Sequence, residues 1–274
     1  MQMVTLTVSN PKSAYGILKK GRINGALLYG PPGTGKTHLA RVLARESKAV
    51  MIHASVAELE SKWVGETEKL IKGVFNLGRM VSPSIIFIDE ADALFRARGC
   101  NDRGYERTRM SQLLSETDGL KRAANPPFLL LATNFPSQLD NAVLRRVPGR
   151  LHIGMPSTPA RKNIFNICLA EETLDHDVDL QLLASRTHRY TGSDIRTTCI
   201  QTALICEDEL LEAGKIDQKR VLKMAHFEKA MGRSGPTVSR SAMQDIMAFA
   251  TEFDPAAVPK IRAAIGQTAL SRCI

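Results

Sequence analysis

The chain has 274 residues, of which 43% are apolar and 24% charged, enough for a full hydrophobic core in a soluble globular protein. Its formal net charge of +9 suits acidic partners, but the basic residues are dispersed with no polybasic block, which weighs against nucleic acid. No apolar run approaches the roughly 18–20 residues of a membrane helix, MQMVTLTVSN lacks the features of a secretory leader, and five cysteines without C-x-x-C spacing predict reduced thiols of an intracellular protein rather than a zinc site.

In chain order, the first two-thirds alternates short apolar runs with amphipathic stretches, the pattern of a parallel sheet with crossover helices. Strands are expected over 26–29, 50–54, 84–88, 128–132 and 151–154. Helices are expected over 37–47, 66–80 and 106–116. In the second of these, Leu70, Val74 and Leu77, and also Ile71 and Phe75, recur at helical spacing. After Pro156 only helical patterns remain, over 159–170, 179–186, 193–213, 225–232 and 239–253, and Gly192-Ser193-Asp194 is read as the cap of the longest. This predicts an α/β domain over 1–155, a helical domain over 156–254, and a loose basic tail or short helix over 255–274.

Gly30-Pro31-Pro32-Gly33-Thr34-Gly35-Lys36-Thr37 matches G-x-x-x-x-G-K-[ST] between a predicted strand and a predicted helix. Glycines let the backbone wrap phosphate oxygens, and the helix start adds a positive dipole. Lys36 is expected to reach the β- and γ-phosphates of ATP, and Thr37 to ligate Mg²⁺. His38 follows on the helix beside this cofactor-binding run and is read as structural, since the chemistry does not require it.

Ile85-Ile86-Phe87-Ile88-Asp89-Glu90 is an apolar strand that delivers two acids to the carboxyl edge of the sheet, where ligands bind in open α/β sheets. Asp89 is expected to hold Mg²⁺, and Glu90 to act as base toward the attacking water. The strand over 128–132 leads into Thr133-Asn134, and the Asn134 amide is expected to orient that water or to begin a turn before Phe135-Pro136.

With these motifs placed, residues 20–253 resemble the AAA ATPase family. The order is the phosphate loop, SKWVGETEK, IIFIDEAD, LLLATN, LDNAVLRR and YTGSDI. SKWVGETEK and the C-terminal FEKA and PTVS elements are most similar to the branch of katanin, spastin and the ESCRT-disassembly ATPases, and LRRVPGRLHIGMP to its outer-membrane extractases. The resemblance implies a P-loop NTPase fold with a five-stranded parallel sheet between helices, followed by a small all-α lid. It implies Arg145 and Arg146 as fingers completing a neighbour's ATP site, with Arg150 as a possible third member. Lys62, Trp63 and Val64 would form a pore loop gripping extended polypeptide. A second pore loop is expected within 99–107, with Arg103 and Tyr105 as candidates, and Gly192 and Ser193 would face the nucleotide from the lid.

Two departures stand out. Only 29 residues precede Gly30 and the family's Asp-Ile-x-Gly element is not recognisable, so either weakened nucleotide affinity or ring stability is expected or the sequence is part of a longer chain. Phe135 stands where many relatives have Arg. The resulting expectation is an ATPase in a homo-oligomeric, hexameric ring that unfolds, extracts or disassembles protein substrates. It would be cytoplasmic or would face the cytosol on the mitochondrial or peroxisomal outer membrane, without a membrane helix of its own. Microtubule severing or ESCRT filament disassembly is the first alternative, and a nucleotide-gated nucleic-acid loader the second.

Overall fold

Runs such as SIIFI and FLLLAT are apolar at successive rather than alternate positions, so strands made from them need cover on both faces. A computed structural model of the chain describes residues 24–55, 66–96, 104–120, 126–215 and 218–270. Its strands are β1 (Gly25–Tyr29), β2 (Val50–Ala54), β3 (Ser84–Ile88), β4 (Phe128–Thr133) and β5 (Gly149–His152). All pair in parallel in the order β2-β3-β4-β1-β5. β1, β3 and β4 are buried along their whole length, and β2 and β5 form the more open edges.

The helices of this part are α1 (Lys36–Glu46), α2 (Glu66–Met80), α3 (Ala91–Leu94), α4 (Gly104–Leu120) and α5 (Asn141–Arg146). α1 lays Ala40, Leu43 and Ala44 into a core with Leu28, Ile85, Phe87 and Leu130. Of the two apolar rows on α2, Ile71 and Phe75 are buried, whereas Leu70 and Leu77 are exposed. β5 begins two residues earlier than predicted. Glycine at 149 permits this, because a β-carbon there would lie 2.9 Å from Ala26 Cβ on β1.

The later helices are α6 (Thr158–Cys168), α7 (Leu180–Arg186), α8 (Gly192–Glu212), α9 (Met224–Arg233), α10 (Arg240–Phe253) and α11 (Val258–Leu270). Contacts divide the chain into two compact units. The first holds residues 24–30, Lys36–Ile153 and Gln244–Arg262, and the second Pro31–Gly35, Gly154–Met243 and 263–270. The second unit is a helical lid around Phe165, Leu183, Ile195, Leu222 and Phe227. Buried Arg161 donates to the carbonyls of Pro156 and Ala184, satisfying groups that would otherwise be costly to bury.

The division departs from the sequence-based boundaries. The sequence pattern places residues 244–254 in the helical domain, yet Gln244–Arg262 belongs to the sheet-bearing unit, and the stretch 255–274, read as a loose tail or short helix, contains α11. Burial explains it: Ile246, Phe249, Ala250 and Ile261 are each at most 2% exposed. Phe249 also meets the Tyr29 ring edge-on at 5.0 Å. Among the described residues no helix is long and apolar enough to cross a membrane.

Candidate active site

β1 ends at Tyr29, and the chain turns through Gly30 to Gly35 before α1 begins at Lys36. Gly30 has φ 152°, and a β-carbon there would lie 2.1 Å from the Ile153 carbonyl oxygen, so only glycine can start this turn. Thr34 Oγ1 donates to Pro31 O at 2.8 Å across it. Lys36 is 7% exposed and donates from Nζ to Gly30 O at 2.9 Å. Burial pushes its pKa down to about 8, against the opposing pull of Asp89 and Asp92. A buried ammonium in this position gains from an incoming anion.

β3 carries Asp89 to the carboxyl edge, where its Oδ2 accepts from Thr37 Oγ1 at 2.5 Å. Its Oδ1 accepts from the Glu90 amide at 3.0 Å. Glu90 is exposed and holds a left-handed backbone, φ 51° and ψ 44°, immediately before α3. On neighbouring β4, Thr133 Oγ1 donates to Asp92 and accepts from the Phe135 amide. Asn134 follows, and its Oδ1 is buried without a hydrogen-bond partner among the described residues. The structure thus brings Lys36, Thr37, Asp89, Glu90 and Asn134 to one edge of the sheet. It adds Asp92, which the sequence reading passed over. Its signal was available: an acid three residues after Asp89, in the first turn of a helix. His38 is exposed.

α5 is capped by Asp140, whose side chain accepts from the Ala142 amide at 2.7 Å. Arg145 is exposed and has no polar partner among the described residues. Arg146 is paired with Asp118 at 2.8 Å and also donates to Ala142 O. The expected grouping of Arg150 with these two does not form. Its guanidinium turns back to the carbonyls of Leu144, Val147 and Gly149, where it satisfies the C-terminal end of α5.

Within the helical unit, the cap of α8 is Thr191 rather than the Gly192-Ser193-Asp194 run. Thr191 Oγ1 accepts from the Asp194 amide and Asp194 Oδ2 from the Thr191 amide, a reciprocal capping box. Gly192 and Ser193 therefore form the first turn, and the Ser193 amide donates to Gly33 O at 3.2 Å. Lys62, Trp63, Val64 and Arg103 lie outside the described residues. Tyr105 falls within α4.

The model of the ATPase family associated with various cellular activities (AAA) matches residues 26–155, and that of the AAA+ lid domain matches residues 177–228. A spastin homolog of Caenorhabditis elegans is 34% identical over 260 residues, 92% of this chain and 50% of that protein. The outer mitochondrial transmembrane helix translocase of Danio rerio is 36% identical over 226 residues, 81% of this chain and 62% of the relative. The chain spans about half the length of these curated relatives. The crystal structure of the FIGL-1 AAA domain in complex with ADP superposes with a TM-score of 0.79 at 32% identity, covering 92% of this chain and 85% of that one. A nucleotide-binding sheet unit followed by a helical lid, with these likenesses along nearly its whole length, places the chain in the AAA ATPase family.

Proposed function

We propose that the chain is the ATP-hydrolysing motor of a protein remodeller that works as a ring of like subunits. The observation that carries this reading is the 2.5 Å bond from Thr37 Oγ1 to Asp89 Oδ2, which joins two separate motifs beside the buried Lys36 ammonium. Two hard oxygen donors this close suit Mg²⁺. Thr37 and Asp89 are the residues that would hold it, and when bound it would neutralise phosphate charge. Lys36 and the backbone amides of the 30–37 run bind the phosphates of ATP. Glu90 accepts the proton of the attacking water, and the unpartnered Asn134 Oδ1 supports a role for that amide in orienting the water.

Arg145 and Arg146 reach the γ-phosphate held by the adjacent subunit, with Arg145 the more available of the two. Such fingers contribute about 10³–10⁵ in rate in comparable NTPases. A contact of this head-to-tail kind closes a ring, for which six subunits is the family expectation. The Ser193 amide bond to Gly33 O supports a nucleotide-facing role for Gly192 and Ser193.

Lys62, Trp63 and Val64 grip an extended polypeptide, the aromatic ring giving sequence-tolerant contact area. Relatives named as outer mitochondrial transmembrane helix translocases support a protein substrate and a place at the mitochondrial outer membrane. The test is ATPase rate against protein concentration, with and without an unfolded or tail-anchored protein, for the parent and Trp63→Ala. The parent's rate per chain rises with concentration and it unfolds the added protein. Trp63→Ala retains turnover and loses unfolding. A parent without ATPase activity would overturn the proposal.

A further inference from the structure

One carboxylate outside the motifs touches the base of the phosphate turn. Asp254 follows α10, and its Oδ2 accepts from Tyr29 Oη at 2.8 Å. Tyr29 is fully buried and is the last residue of β1, directly before Gly30. Its ring lies 5.0 Å from Phe249 and 5.3 Å from His152, and its carbonyl accepts from the Ile153 amide at 2.8 Å. The next carbonyl, Gly30 O, is the one that holds Lys36 Nζ. The Tyr29 side chain and the lysine anchor are thus joined through two consecutive backbone groups.

Asp254 therefore lies against the end of β1 that begins the phosphate turn. A core needing only shape at position 29 would be served by phenylalanine. A buried hydroxyl aimed at a carboxylate is a costlier arrangement that fixes one geometry.

We propose that Asp254 is a positioning residue of the ATPase, holding the phosphate turn through Tyr29. This rests on the ATPase reading above and adds to it a C-terminal residue that touches neither nucleotide nor metal.

Three variants of the full chain test it. Tyr29→Phe removes the hydroxyl alone and raises the equilibrium Kd for a fluorescent ADP analogue about threefold or more. Asp254→Asn keeps an oxygen to accept from Tyr29, and its nucleotide Kd stays within about twofold of the parent. Asp254→Ala raises the Kd as Tyr29→Phe does. Thermal melts and active-site titration establish the folded fraction, and if Asp254→Ala does not fold, the other two variants carry the test. A Kd that scales only with folded fraction, or that stays within about twofold of the parent in every variant, overturns the proposal. A parent that binds no nucleotide overturns the ATPase reading and this inference with it. A fully active parent with indifferent variants overturns the inference alone.

Discussion

Glu90 adopts a left-handed conformation that costs a non-glycine residue roughly 1–2 kcal/mol. The Asp89 side chain helps to offset this by accepting the Glu90 amide. Glu90→Gln preserves the shape and removes the basic oxygen. Nucleotide affinity is expected to stay near the parental value while kcat falls by about 10²–10⁴. Phosphate release beside equilibrium nucleotide binding checks this, and turnover near the parental rate would remove Glu90 from the base role. Lys36 gives a pH prediction. Its folded pKa of about 8 lies below the ordinary 10.5, so between those values the unfolded chain holds a proton that the folded chain lacks. Stability of the nucleotide-free protein therefore gains a contribution as pH rises from 8 to 10.5. Lys36→Met should reduce that slope, stabilise the nucleotide-free chain at neutral pH and eliminate ATP binding. Denaturant titrations across this pH range decide it, an unchanged slope being the adverse result.

Among the elements, α5 presents two arginines in different states: Arg146 is held by Asp118, and Arg145 is exposed. Arg145→Ala is expected to leave nucleotide affinity unchanged and to lower kcat of the assembled protein by at least about 10²-fold. An equal loss at protein concentrations too low for assembly would show that it does not act in trans. The capping box of α8 was partly legible, since the sequence reading placed the helix start correctly to one residue but assigned the cap to Gly192-Ser193-Asp194. Thr191 and Asp194 bond reciprocally, and Asp194 also accepts from Thr237 Oγ1 at 2.8 Å. Thr191→Ala should destabilise the chain by about 1 kcal/mol, measured by chemical denaturation. No change would mean that Asp194 holds the turn alone.

At the scale of the whole molecule, the proposed completion of each site by a neighbour would make two inactive chains complementary. Glu90→Gln retains Arg145, and Arg145→Ala retains Glu90. Mixing them should yield more phosphate release than the sum of the separate rates, because some interfaces then join an intact base to an intact finger. A strictly additive rate would argue that each chain completes its own site.

The phosphate turn, the acidic strand and the helical region after Pro156 were readable because each depends on residues adjacent in sequence. A strand, a glycine turn and a helix start are set by local sterics, and successive apolar residues require a strand covered on both faces. β5 was displaced in the reading because its start depends on how closely Gly149 can approach β1, a property of two strands rather than one. The partner of Arg146, the turning back of Arg150 and the packing of the C-terminal helices depended on tertiary structure for the same reason. Asp254 and Tyr29 are 225 positions apart, and Arg146 and Asp118 are 28 apart. Local periodicity reveals that a helix has an apolar face or that a charge is available. Only the folded chain decides which distant surface or group meets it.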